Sequence, residues 1–390
     1  MRVGAAILSI CVLFGHWSCI EPFDPEIEGE GETLVVEGQI LEGKAGAEVR
    51  LSRSFAFSET APMMVEDARV RITDDVGNEH ELISGGEAGV YLSDTSQLEG
   101  VVGRSYQLSI VTPEGEQYES EWALMKKGIA VDELHADFEE PNNGIDSARG
   151  MQVYLSAFDP ENETKFYRWE YEETWIFAVP LPAVGVWNSQ TRMPDLYPPD
   201  EIPRICWQTV HSSQIFLGST IGLSEDRMTN VPIRFISDQD NHLRIKYSIL
   251  VKQYSISEET YVFYQQLKHT TETLGTLFDP IPGEVRGNIR NVNNSGESVL
   301  GWFSADGFGQ DRIFISRSDL PNIPIPSGYA ACAADTLANS LEMGGYIIGG
   351  GVYVEDLLDP FGNLIGYIGS RPYCTDCRFF GTTERPEFWE

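Results

Sequence analysis

Between residues 33 and 124 the chain is cut into apolar runs of at most seven residues, too short for helices and closed off by turn formers. The runs fall at 34–40, 49–54, 68–73, 79–83, 106–111 and 118–122. Glycine, asparagine, aspartate and proline gather between them at 43–46, 74–78, 85–86 and 113–115. Val70 and Ile72 alternate with Arg69 and Arg71, which is the period of a strand with one buried and one wet face. This spacing predicts a small antiparallel β-sandwich over 33–127.

The remainder, 128–390, reads as a larger β-rich domain. An acidic, asparagine-bearing stretch leads to strands predicted at 151–158 and 166–177, the second rich in tyrosine and tryptophan. Residues 179–203 are proline-rich and aperiodic, so a long surface loop is expected there. Leu243, Ile245, Tyr247, Ile249 and Val251 then alternate with Arg244, Lys246, Ser248 and Lys252, the clearest strand pattern in the chain. Ser257 follows as a helix N-cap, Tyr264, Leu267, Thr271 and Leu274 share one side, and Gly275 is the stop. Beyond 284 the chain is glycine-rich, with 344–351 and 362–369 read as bends between strands. The expected class is therefore mainly β, an N-terminal sandwich followed by a β-rich domain with one amphipathic helix. The N-terminal part resembles the immunoglobulin-like and prealbumin-like modules of bacterial surface proteins.

The N-terminus points to export. Arg2 precedes an apolar run over 3–14, and Gly15, His16, Trp17 and Ser18 lead into Cys19. A run that short falls below the roughly 20 residues of a spanning helix, so 1–18 reads as a signal peptide and Cys19 as the lipid-attachment residue. Residues 19–32 are acidic and broken by proline and glycine, which suits a tether. Removing 1–18 takes away only Arg2, leaving 26 basic against 60 acidic residues, a net charge of −34. No basic stripe is present to displace counterions from a phosphate backbone, so nucleic acid is not an expected partner. With Cys11 and Cys19 set aside, Cys206, Cys332, Cys374 and Cys377 remain, and an even count in an exported chain favours disulfides in one of three pairings. The alternatives for the Cys374–Cys377 spacing are half a zinc site or a redox pair.

Catalytic patterns are absent from the sequence: there is no GxSxG elbow, no HExxH and no EF-hand loop. His80, His135, His211, His242 and His269 are scattered and lack helix-spaced partners. Asp74 with Asp75, and Glu172 with Glu173, are neighbouring acids of the kind 60 carboxylates produce by chance. Asp159, Glu161 and Asn162 carry oxygen ligands suited to calcium, but a solvated turn is the favoured reading. The expectation is no enzyme, no metal and no cofactor. Asp146-Ser147-Ala148 and Asp335-Thr336-Leu337 match a short acidic-hydroxyl-aliphatic pattern used for O-glycosylation in Bacteroidota.

Several segments taken together resemble a known family. They are Cys19 to Phe23 (CIEPF), Tyr247 to Tyr254 (YSILVKQY), Phe278-Asp279-Pro280, Gly287-Asn288-Ile289, Gly301 to Ala305 (GWFSA), Cys374 to Cys377 and Pro386 to Trp389. The chain is similar in these to a Bacteroidota family of outer-membrane lipoproteins known only as a domain of unknown function. That resemblance implies a lipid anchor, a β-rich body, a place on the outer membrane facing the cell exterior, and an accessory role beside a TonB-dependent receptor. It carries over no catalytic residue. The alternative is an adhesin or glycan-binding protein, resting on the rings of 166–177 and on Trp187, since sugars stack on such faces. A third reading is a hydrolase with a carboxylate pair across a cleft.

Overall fold

A computed structural model describes residues 33–54, 62–140, 149–272 and 285–389. Cys19, the tether, Asp146-Ser147-Ala148, Leu274 and Gly275 lie outside the described residues. The protein is mainly β, and its strands build two sandwiches joined by one long strand.

The N-terminal sandwich follows the expected pattern. Its opening strand, Leu34–Leu41, pairs antiparallel with Ala47–Arg53, and the sheet continues through Val90–Leu92 and Glu79–Ser84. Glu79–Ser84 passes the chain to a second layer of Arg69–Asp74, Ser105–Val111 and Gln117–Ser120. Every second residue points inward: Leu34, Val36, Val49 and Leu51 from one layer meet Val70, Ile72, Leu108 and Ile110 from the other. Each large side chain fully removed from water contributes about 1.5–3 kcal/mol.

This core is not complete within 33–127. Ile289, Val299, Phe303 and Ala305 belong to it as well, brought back from far along the chain. They arrive on the strands Ile289–Asn291 and Leu300–Ser316. The second of these is the bridging strand: its first half runs parallel to the opening strand, Val35 opposite Leu300 through Leu41 opposite Asp306. Its second half pairs antiparallel with Lys246–Ser255, Gly307 opposite Ser255 through Ser316 opposite Lys246. One continuous sheet therefore passes from the first sandwich into the second. The connection between them crosses so tightly that a Cβ on Gly307 would stand 2.4 Å from the backbone of Lys127 and Gly128.

In the second sandwich Lys246–Ser255 lies between the bridging strand and the aromatic strand, Phe166–Ala178. A separate sheet of Val131–Glu139, Gly150–Asp159 and Asp226–Ser237 supplies the other layer. Tyr167, Trp169, Trp175 and Phe177 pack into the core between these layers with Val153, Leu155, Ile249 and Val251. The alternation read from 243 onward holds from Tyr247, but Leu243 sits on a 3-10 turn, Asn241–Leu243, and Ile245 is exposed, so the strand starts later than expected.

Three expectations are corrected near the C-terminus. Residues 179–203 are not a bare loop: they fold into a hairpin of Gly185–Asn188 and Met193–Leu196. Residues 340–348 form a helix, Ser340–Ile348, where bends were expected at 344–351. With the short helix Pro372–Thr375, this makes more helices than the single one anticipated. Hairpin and helix cover a three-stranded sheet, Asp335–Leu337, Val352–Leu358 and Leu364–Ser370, around a small core of Trp187, Met343, Tyr353 and Tyr367. Two disulfides hold this part to the body, Cys206 to Cys377 and Cys332 to Cys374. The two cysteines of the Cys374–Cys377 spacing thus take different partners, which rules out a bond between them.

Candidate functional site

The expected helix forms as Glu258–Glu272. Ser257 caps it, its Oγ accepting from the Thr260 backbone N–H at 3.2 Å, and Glu258 and Glu259 sit favourably in the positive first turn. This roof helix lies over the sheet, packing on the aromatic strand and on the bridging strand. Phe263 reaches down to stack on Trp302, ring centroids 4.8 Å apart, and the Trp302 indole N–H donates to Thr260 Oγ1 at 3.1 Å. At its far end Lys268 donates to the Ile215 carbonyl at 2.6 Å and Glu272 accepts from the Ile215 N–H at 2.7 Å. The helix is thus held by hydrogen bonds at its two ends and by ring contacts of Phe263 and Tyr264 between them.

Beneath it lies a cavity of about 590 Å³. Its walls are mostly apolar, with Val35, Phe263, Leu267, Leu300 and Trp302 prominent among them. That volume suits a small organic molecule. Three charged side chains reach the walls: Glu37, Arg168 and Glu170.

Arg168 is almost wholly buried. It occupies the face of the aromatic strand opposite Tyr167 and Trp169, so the roof helix, not water, covers it. Its guanidinium lies between the rings of Tyr254 and Tyr264, 4.1 and 4.8 Å from their centroids. It donates to Glu170 and, at 3.1 Å, to Gln39 Oε1. Burial alone would pull its pKa down, but Tyr264, Glu170, Tyr254 and Asp306 outweigh that and hold it above the ordinary arginine value. Glu170 also accepts from the Tyr254 hydroxyl at 2.9 Å; burial pushes its pKa up, and Arg168, Tyr254 and Lys252 together more than offset this. Asp306, fully buried, accepts from Ser304 Oγ at 2.7 Å while its other oxygen has no partner. Burial raises its pKa to about 6.

None of Glu37, Arg168, Glu170, Phe263 or Trp302 was singled out as a site residue by sequence. A signal for Arg168 and Glu170 existed: they alternate with Tyr167, Trp169 and Tyr171, marking a polar face on a strand whose other face is core. Nothing in the sequence reveals that a helix covers that face.

The residues that sequence reasoning did single out are dispersed. Glu173 is buried, accepting two bonds from Arg234 at 3.1 Å each and one from the Tyr247 hydroxyl at 2.7 Å, while neighbouring Glu172 faces the other way and pairs with Arg312. Asp74 closes a turn, accepting from the backbone of Val76 and Asn78 and from Arg104. Asp159 likewise gathers the backbone N–H groups of Glu161, Glu163 and Thr164, which occupies the oxygens a cation would need. Among the described residues no group of three or more metal-type ligands is present. His242 stacks on Trp175 at 3.8 Å, its pKa lowered by burial, whereas His211 and His269 are exposed. Thr336 is exposed on its strand.

The aromatic supply expected to serve a glycan is not at the surface. Trp187 is 6% exposed, packed edge to face on Tyr367 at 5.0 Å, and Tyr167, Trp169, Trp175 and Phe177 are core.

Residues 20–312 match the family described as Domain of unknown function (DUF4249). The match ends within the bridging strand, so Cys332, Cys374, Cys377 and the closing segment 386–389 lie beyond it. No curated protein matches the sequence. Among solved structures, a crystal structure of a DUF4785 family protein from Legionella pneumophila subsp. pneumophila is similar at 10% identity, covering 56% of this chain and 51% of that one, with a TM-score of 0.17. The chain thus spans about half the length of that protein, and a likeness so slight carries no argument.

Proposed function

This chain belongs to the DUF4249 family, and from that premise we propose that it is a non-catalytic ligand-capturing protein of the bacterial outer membrane. It is held there by lipid on Cys19 and works beside a TonB-dependent receptor. The observation that carries the reading is the cavity under the roof helix: about 590 Å³, walled by apolar and aromatic side chains, with a rigidly held polar group at Arg168. Such a cavity, apolar with a few fixed polar groups, has the make-up of a site that binds and orients a small molecule. The anchor is supported by the sequence before Cys19 and by the acidic tether after it. Buried methylenes at about 0.8 kcal/mol each let several acyl chains hold a soluble body on a membrane.

The test uses the full chain in its own host. Membranes extracted with mild detergent are expected to yield the tagged protein together with a large β-barrel receptor, and Cys19→Ala is expected to move the protein into the soluble fraction. Retention of Cys19→Ala on membranes, or repeated recovery without a receptor, overturns the anchored accessory role. The cavity is tested separately, by filling it with Leu267→Trp and measuring uptake of an apolar fluorescent probe, which should fall at least 10-fold.

A further inference from the structure

Charge decides what the cavity admits. At first sight Arg168 invites an anion, but its hydrogen bonds go to Glu170 and Gln39 and its two faces are covered by Tyr254 and Tyr264. An anionic ligand would have to displace Glu170, leaving a carboxylate stranded in an apolar wall, which is strongly unfavourable. The walls carry one positive group, Arg168, against two negative ones, Glu37 and Glu170. Asp306, fully buried and electrostatically coupled to Arg168, adds a third carboxylate to the cluster. Glu37 is exposed and stands on the opening strand beside Val35, so a bound head group can reach it without breaking the Arg168 cluster. Phe263 and Trp302 supply aromatic surface on the same wall.

We propose that this cavity takes an amphipathic organic cation, its apolar body under the roof helix and its ammonium-type head against Glu37 and the rings of Phe263 and Trp302. The attraction is of the two kinds the wall offers: an exposed carboxylate at the cavity's edge and the negative faces of aromatic rings. The inference rests on the reading of the cavity as a ligand site, and it adds the ligand's charge.

Three probes of matched tail separate the possibilities: octyltrimethylammonium, 1-octanol and octanoate, all below micelle-forming concentrations. Binding is followed by calorimetry on the full chain and by tryptophan fluorescence assigned with Trp302→Phe. The ammonium probe is expected to bind at least 10-fold more tightly than octanoate, and less tightly as salt rises. Glu37→Gln should lower its affinity about 2- to 5-fold with octanol unchanged. Glu37→Lys should reverse the order of the two ions. Both changes are at an exposed position, and retained cooperative unfolding checks the fold. Octanoate binding as tightly as the ammonium probe, or indifference to Glu37→Lys, overturns the inference while leaving the cavity a ligand site. If none of the three binds, the inference and the cavity's role fall together.

Discussion

Asp306 is a carboxylate that the fold holds at a disadvantage. In the unfolded chain it ionises near 3.8, and in the folded protein at about 6, because burial outweighs the help it receives from Arg168 and Ser304. Between those values the folded state keeps a proton the unfolded state has lost, so stability falls as pH rises from about 4 to about 6 and stays lower above that. The shift corresponds to about 3 kcal/mol. Asp306→Asn keeps the shape and the acceptor for Ser304 but removes the charge. Urea unfolding at a series of pH values should show this fall flattened, with the variant more stable than the parent by about 1–3 kcal/mol at pH 7.5; equal slopes would refute the assignment. Asp74 works in the opposite sense. Although burial raises its pKa, hydrogen bonds from Asn78 and Arg104 bring it down to about 2, so its stabilisation is complete above 3.8 and is lost as pH falls through 2. Asp74→Asn should therefore cost stability at neutral pH, about 1–2 kcal/mol in the same measurement. Asp74 was legible as part of a turn because a turn is local. Asp306 was not, since its burial depends on strands that the chain brings in from elsewhere.

At the scale of elements, what was legible follows from how far each signal reaches. The roof helix was found because Ser257, the acids after it and the apolar spacing all lie within one segment. The helix Ser340–Ile348 carried a comparable start signal: Asn339 accepts from the N–H groups of Leu341 and Glu342, and Glu342 accepts from the backbone of Ala338. Gly344 and Gly345, poor helix formers, masked it. Packing of Met343 onto Tyr353 and Tyr367 overrides that propensity. Likewise the proline-rich 179–203 forms a hairpin because Trp187 has a small core to enter, and that core is assembled from residues more than 150 positions later. Ser257→Ala should destabilise the roof helix by about 1 kcal/mol. Hydrogen exchange over 258–272 should quicken severalfold while the N-terminal sandwich keeps its rates; unchanged exchange would show that the pins at Ile215 suffice.

The molecule as a whole is held by contacts between residues far apart in sequence, and that is where local patterns run out. The four cysteines announced disulfides, but only the fold chose the pairing, Cys206 with Cys377 beside the reciprocal backbone bonds of Trp207 and Thr382. Replacing both Cys206 and Cys377 by alanine should cost about 2–5 kcal/mol, seen as faster exchange at 205–211 and 377–382 with the N-terminal sandwich untouched. The bridging strand makes the stronger claim. The sequence pattern marks 33–127 as a sandwich, and its strands are where the pattern puts them. Yet Ile289, Val299, Phe303 and Ala305 fill its core, and the opening strand finds its second neighbour only at 300–306. Without them the fragment 33–127 forfeits roughly 7 kcal/mol of apolar burial and exposes a row of unpaired backbone groups along the opening strand. A domain's net stability is only about 5–15 kcal/mol. The isolated fragment should therefore show no cooperative urea transition. Adding residues 286–306 through a flexible linker should restore one, and replacing Phe303 by alanine in that fusion should lower its stability by about 3–5 kcal/mol. Cooperative unfolding of 33–127 alone would mean that the bridging strand joins a finished sandwich and does not complete it.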